Sequence, residues 1–205
     1  MTRWRFDGEI TGLGTGSGVR IVVGHWARSP LGEFTDVMVE LADGQRMLLA
    51  PSDAVRDFVT ATYTFDRTVI TPVHYARAGD SRTVRAGDLH VRFDVGARTT
   101  LGRLLNLLPV AVASAPRFCA VSDPIARVAL RGVRTRGTAG NGRREFYGAI
   151  DQRRLTGMSA SWRGEDLGPL RPVAPPVRFG FGSTPRTPAT TAVVTTIVDS
   201  GISGR

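Results

Sequence analysis

Lysine is absent from this chain, and all 27 basic residues are Arg. That excludes Schiff-base chemistry on a side-chain amine and a Walker-type phosphate loop, since each needs its Lys. Only two Asn, Asn106 and Asn141, accompany this bias. A GC-rich coding sequence accounts for Arg without Lys or Asn better than selection for phosphate binding does, because the Arg are spread along the chain. Cysteine is limited to Cys119, so no internal disulfide can form. Its neighbours Phe118, Ala120 and Val121 are apolar, which reads as a buried free thiol. Long apolar runs are missing too. The longest uncharged stretch, Leu104 to Pro116, is interrupted by Asn106 and Pro109 and is too short to span a bilayer. Charges at Arg3, Arg5, Asp7 and Glu9 leave no apolar core for a secretory signal, and the expectation is a cytoplasmic protein with no membrane partner.

Gly and Pro are plentiful, at 24 and 12 of 205 residues, and call for many turns between short elements. Strict alternation is the commonest pattern between those turns. Trp4, Phe6, Gly8 and Ile10 face one way and Arg3, Arg5, Asp7 and Glu9 the other, as in a half-buried strand. Val37, Val39 and Leu41 alternate with Asp36, Met38 and Glu40 ahead of an Ala42-Asp43-Gly44 turn. Leu89, Val91, Phe93 and Val95 alternate with Asp88, His90, Arg92 and Asp94. Further strands are expected at 20–24, 67–73, 124–136, 143–150, 155–162, 177–182 and 190–198. Two segments have helical spacing. Ser52 precedes a helix over 53–62, and Thr99 or Thr100 precedes a Leu-rich helix over 100–108 that is expected to cover a β-core. The fold expected is mainly β: one domain over 1–199, a β-barrel or strongly bent antiparallel sheet of roughly nine to eleven strands with two short helices. Residues 200–205 read as a frayed tail.

Candidate sites are few. Asp88, His90, Arg92 and Asp94 share one face of one strand, where a carboxylate can orient His90 and Arg92 can hold an anion. These four are the catalytic candidates, set against an ordinary solvated face. Gly12, Gly14, Gly16 and Gly18 lack the spacing and the following helix of a dinucleotide fingerprint. They read as a strand-to-strand loop at a pocket mouth, with Gly14 and Gly16 as ligand-contacting positions. No His, Cys or carboxylate spacing builds a metal site, and no cofactor motif is present.

Charge is uneven. Residues 1–100 balance, and the whole net charge of +9 falls in 101–205. Arg131, Arg134, Arg136, Arg143 and Arg144 flank a Gly-rich tip at 137–142, the pattern of an Arg-bearing hairpin that can contact nucleic-acid phosphates. Few aromatics interleave with these Arg, which argues against stacking on single strands.

The stretch Ser29-Pro30-Leu31-Gly32-Glu33-Phe34-Thr35-Asp36-Val37 resembles the strand-entry segment of acetoacetate decarboxylase-like β-barrels. It covers nine of 205 residues and its elements are common. Those enzymes act through a Schiff-base Lys, so the resemblance implies a barrel with altered or lost chemistry in this Lys-free chain. The leading expectation is a barrel that binds a small anionic or amphipathic ligand. Its rivals are an enzyme working through the His90 face and a nucleic-acid or protein-interaction module working through the Arg hairpin. Oligomeric state is left open.

Overall fold

The alternation that starts at Trp4 runs without a break into the glycine-rich stretch, and the first strand, β1, spans Thr2–Thr15. The structure is a computed structural model and describes residues 2–107, 136–138, 143–180 and 184–199. After β1 come β2 (Arg20–Arg28), β3 (Phe34–Glu40), β4 (Arg46–Ala50), helix α1 (Asp53–Thr60), β5 (Arg67–Ile70), β6 (Val73–Ala78), β7 (Ser81–Ala86) and β8 (Leu89–Arg98). Helix α2 (Thr100–Leu105), β9 (Arg136–Thr138), β10 (Arg143–Trp162), β11 (Glu165–Asp166), β12 (Leu170–Arg171) and β13 (Ala189–Asp199) complete the order. Ten strands form one path, β5-β4-β3-β2-β1-β13-β10-β8-β7-β6, antiparallel except where β4 meets β5. Short β11, β12 and β9 pair off this path. The sheet curls into a half-barrel, the mainly β fold that the alternation called for.

Curling gives the sheet an inside, and period-two alternation decides which residues fill it. Leu13, Val23, Val37, Leu49, Val84, Val91 and Phe93 project inward from six strands and form one apolar core. The outer face of β1–β4 and β13 carries a second core, in which Phe6, Val22, Met38, Leu48 and Ile197 meet Val55 and Val59 of α1 and Phe179. Strand β3 is therefore buried on both faces, including Asp36 and Glu40, which the alternating pattern assigned to solvent. An acidic residue can occupy such a place only with partners. Glu40 has them: it accepts from the Arg178 backbone N–H at 2.7 Å and from Arg178 Nε at 2.8 Å, and it lies 3.0 Å from Arg20 Nη2.

Helix α1 begins where the sequence predicts, with the Ser52 hydroxyl accepting from the Val55 N–H at 3.3 Å. Helix α2 is shorter than expected and docks through glycine. A Cβ on Gly102 would lie 2.0 Å from the Gln152 carbonyl oxygen, while Leu104 and Leu107 are 59% and 78% exposed. The Leu-rich surface therefore does not plug the described core. The 143–150 and 155–162 segments are a single strand, β10, because bulges near Asp151 and Leu155 break its alternation without ending its pairing. Gly12 and Gly14 lie within β1, and the turn to β2 falls at 16–19, where Gly18 takes φ +84°. Residues 177–180 form no strand, the strand expected over 67–73 ends at Ile70, and β4, β6 and β7 were not foreseen. Among the described residues no helix is long and apolar enough to cross a membrane.

Candidate functional site

The four residues expected to act together lie around one strand in the fold. On β8, His90 and Arg92 face outward and are exposed, and Asp94 is half-buried. Asp88, in the preceding turn, is exposed, with Arg163 Nε 3.9 Å from its carboxylate. Arg92 Nε donates to the Ser81 hydroxyl at 2.9 Å. His90 and Arg92 line an open groove of about 380 Å³ with Arg85, Ser159, Ser161 and Asp166. Gly14 and Gly16 lie elsewhere, beneath the segment that carries β12. A Cβ on Gly14 would meet the Pro172 carbonyl oxygen at 2.1 Å, and one on Gly16 would meet Pro169 Cδ at 2.7 Å. Arg136 lies on β9 and Arg143 and Arg144 on β10, with Arg144 opposite Thr138 and Phe146 opposite Arg136. Arg131 and Arg134, like Cys119 and the 124–135 arm of the hairpin, fall outside the described residues.

A different constellation lies inside the half-barrel. Glu9, an inward residue of β1, accepts a hydrogen bond from the Tyr75 hydroxyl of β6. The Tyr75 ring stacks on the His25 imidazole from β2, with centroids 3.9 Å apart and planes 8° from parallel. Nδ1 of His25 lies 2.9 Å from the Thr35 hydroxyl of β3. Burial lowers the His25 pKa from its ordinary 6.5, more strongly than Glu9 and Glu33 raise it, and favours the neutral ring. Burial raises the Tyr75 pKa, and so does the bond to Glu9. Tyr75 thus stays protonated and donates.

Beside this group Arg82 of β7 is almost sealed, at 3% exposure. Its Nη1 donates to the carbonyl oxygens of Gly79 at 2.8 Å and Ser81 at 3.1 Å. Its Nε has no hydrogen-bond partner and lies 3.9 Å from the Glu9 carboxylate. A buried guanidinium N–H left in this state is an unspent donor, costly unless something fills it.

Arg82 and Glu9 line a cavity of about 390 Å³ with Arg77, Asp80, Asp151, Arg153 and Thr190. The carboxylates there are unequally committed. Asp151 is held by Arg98 Nε, 3.0 Å from both of its oxygens, and by the Gln152 N–H at 2.8 Å, with Arg153 Nε 3.7 Å away. Glu9 is committed to Tyr75. Arg77 is exposed and forms no ion pair among the described residues. The cavity therefore offers two guanidinium groups with donors to spare, Arg77 and Arg82, beside the exposed Asp80, which forms no ion pair among the described residues. Among the described residues no three His, Cys, Asp or Glu gather as metal ligands.

Sequence reasoning missed this site because its members come from β1, β2, β6, β7 and β10. Alternation assigns Glu9 to the polar face of its strand, and no local spacing singles out His25. Parity held the one usable signal: Glu9 shares its face with Leu13, which is fully buried.

No protein-family model matches the chain, and no curated protein matches it. Among solved structures, acetoacetate decarboxylase from Legionella pneumophila is similar over 97% of this chain and 88% of its own, at 9% identity and a TM-score of 0.46. A provisionally named AttH from Nitrosomonas europaea is similar over 95% of this chain, at 11% identity and a TM-score of 0.30. This chain spans 50% of that protein's length. Likenesses this distant transfer no functional residue.

Proposed function

We propose that the half-barrel binds a small carboxylate in its interior, with the buried Arg82 as the anchor and the exposed Arg77 as the second contact. The observation that carries this reading is the Arg82 Nε, buried without a hydrogen-bond partner in a residue that lines the 390 Å³ cavity. A carboxylate oxygen placed there satisfies a donor that the protein leaves unmade, and charge-assisted bonds of this kind are about twice as strong as neutral ones. Glu9 does not close the site to anions, because its charge is shared with the Tyr75 hydroxyl and offset by Arg82. Its side of the cavity favours a ligand that also presents a hydroxyl or amide N–H to the Glu9 carboxylate. Catalysis is not required by this arrangement.

Native mass spectrometry of the purified protein tests the reading. The wild-type chain should retain a small anionic molecule or take up added propionate, and Arg82→Gln should lose it. Uptake of propionate equal in wild type and Arg82→Gln, or none in either, contradicts the proposal.

A further inference from the structure

On the outer face of the sheet, under α1, lies a second buried polar group that neither core explains. Asp36 is 2% exposed; its Oδ1 accepts from Trp26 Nε1 at 3.2 Å, and its Oδ2 has no partner. It lines a small chamber of about 40 Å³ walled by Phe6, Trp26, Phe34 and Phe58. Gly24 keeps that space open, since a Cβ there would approach Asp36 Oδ1 to 2.7 Å and Trp26 Nε1 to 3.0 Å. Phe6 and Phe58 also wall an outer apolar groove of about 440 Å³ that includes Trp4, Leu31 and Ala61. The two spaces share the Phe6 and Phe58 rings as a common wall: Phe6 lies 5.7 Å from Trp26 and 4.8 Å from Phe58, and Phe58 lies 6.2 Å from Trp4.

We propose that this chamber and groove together form a binding site for a lipophilic primary amine, with the ammonium group at Asp36 Oδ2 and the apolar body in the outer groove. Size supports the division. The inner space takes one group about as large as a water, whose share of liquid volume is roughly 30 Å³, and an ammonium head is of that size. The outer groove takes a ring or short chain. Chemistry supports the head. A buried carboxylate oxygen without a donor is costly, and a cation supplies both the charge and the N–H. Aromatic rings around a carboxylate add the face-on attraction that π-systems offer to cations. An anion is disfavoured on the same grounds. The site is separate from the Arg82 cavity, which opens on the other face of the sheet.

The test uses phenethylamine, 2-phenylethanol and 3-phenylpropionate, which share a ring and differ in the head. Binding is followed above pH 7, where Asp36 is ionised, by isothermal calorimetry and by Trp fluorescence, because Trp26 donates to the Asp36 carboxylate. Phenethylamine should bind at least about tenfold more tightly than the alcohol, a difference of about 1.4 kcal/mol, and the carboxylate should not compete. Asp36→Asn keeps the shape and removes the charge, and it should lose that preference. Gly24→Ala should block all three ligands by filling the chamber, and it guards against an Asp36 variant that rearranges locally. Propionate binding at Arg82 should be unaffected in Asp36→Asn, which separates this site from the first. Equal binding of amine and alcohol, or amine binding within about twofold of wild type in Asp36→Asn, would overturn the proposal.

Discussion

The imidazole of His25 and the phenol ring of Tyr75 lie face to face, 3.9 Å apart, although their strands β2 and β6 are separated by five others along the sheet. Only a sheet curled on itself can bring them together. The stack thus couples closure of the half-barrel, through the Tyr75 hydroxyl, to Glu9 at the cavity, and Tyr75→Phe separates the two roles. The variant keeps the ring and removes the donor to Glu9, so it should cost about 1.5–3 kcal/mol, the range for hydrogen bonds to charged groups. Urea denaturation checks this. A cost below about 0.5 kcal/mol would mean that the Glu9 contact contributes little.

Two buried groups give the protein opposing pH dependences. Asp36 titrates at about 7 in the folded protein against an ordinary 3.8, because burial disfavours its charged form. Between these values the unfolded chain has released the proton and the folded one still holds it, so raising the pH through this window lowers stability. The limit is about tenfold in the folding equilibrium per pH unit, and no further loss follows above about 7. His25 acts in reverse. Its folded pKa lies below 6.5, so as the pH falls through 6.5 the unfolded chain gains a proton that the folded one resists, and stability drops. Asp36→Asn should remove only the first effect and be increasingly stabilising, relative to wild type, as the pH rises from about 4 to 7. A stability difference from wild type that is flat over this range would contradict the assignment.

Glu40 should be among the least replaceable residues. It is fully buried, holds Arg178 through two hydrogen bonds and faces the equally buried Arg20. Glu40→Gln leaves the Arg20 charge without its counter-ion, and breaking such a pair costs about 3–5 kcal/mol. Thermal unfolding of the variant checks this, and a loss under about 1 kcal/mol would refute it.

Gly102→Ala should detach α2. The new Cβ would meet backbone atoms of Gln152, with the carbonyl oxygen at 2.0 Å, and no side-chain rotation can relieve that contact. Overpacking of this kind costs about 1–3 kcal/mol, and here it is expected as local opening. Hydrogen exchange should rise at the Thr99 and Gly102 amides while β8 stays protected. Unchanged exchange would show that α2 docks by other means.

Much of the fold was legible in the sequence, and the reason lies in individual strands. In β8 the alternation of Leu89, Val91, Phe93 and Val95 with polar residues maps directly onto buried and exposed faces, because one side of that strand meets water. In β3 the same pattern misled. Asp36 and Glu40 look solvent-facing until α1 and the 177–179 segment cover them, and nothing local announces that cover. Strand β10 looked like two strands because its bulges shift parity around Asp151 and Leu155. The interior site was the least legible part. Glu9 and Tyr75 are 66 residues apart, and a contact of that range follows from curvature and register, which no local spacing encodes.

The central claim is that Arg82 anchors a small carboxylate, and calorimetric titration of propionate into wild type, Arg82→Gln and Arg77→Gln tests it most directly. Saturable binding is expected in wild type, weakened at least about tenfold by Arg82→Gln and less by Arg77→Gln, whose side chain is exposed. The affinity should also weaken with added salt less steeply than a surface contact would, because the anchor is buried. Propionate binding that is unchanged in both variants, or absent from wild type, would contradict the account.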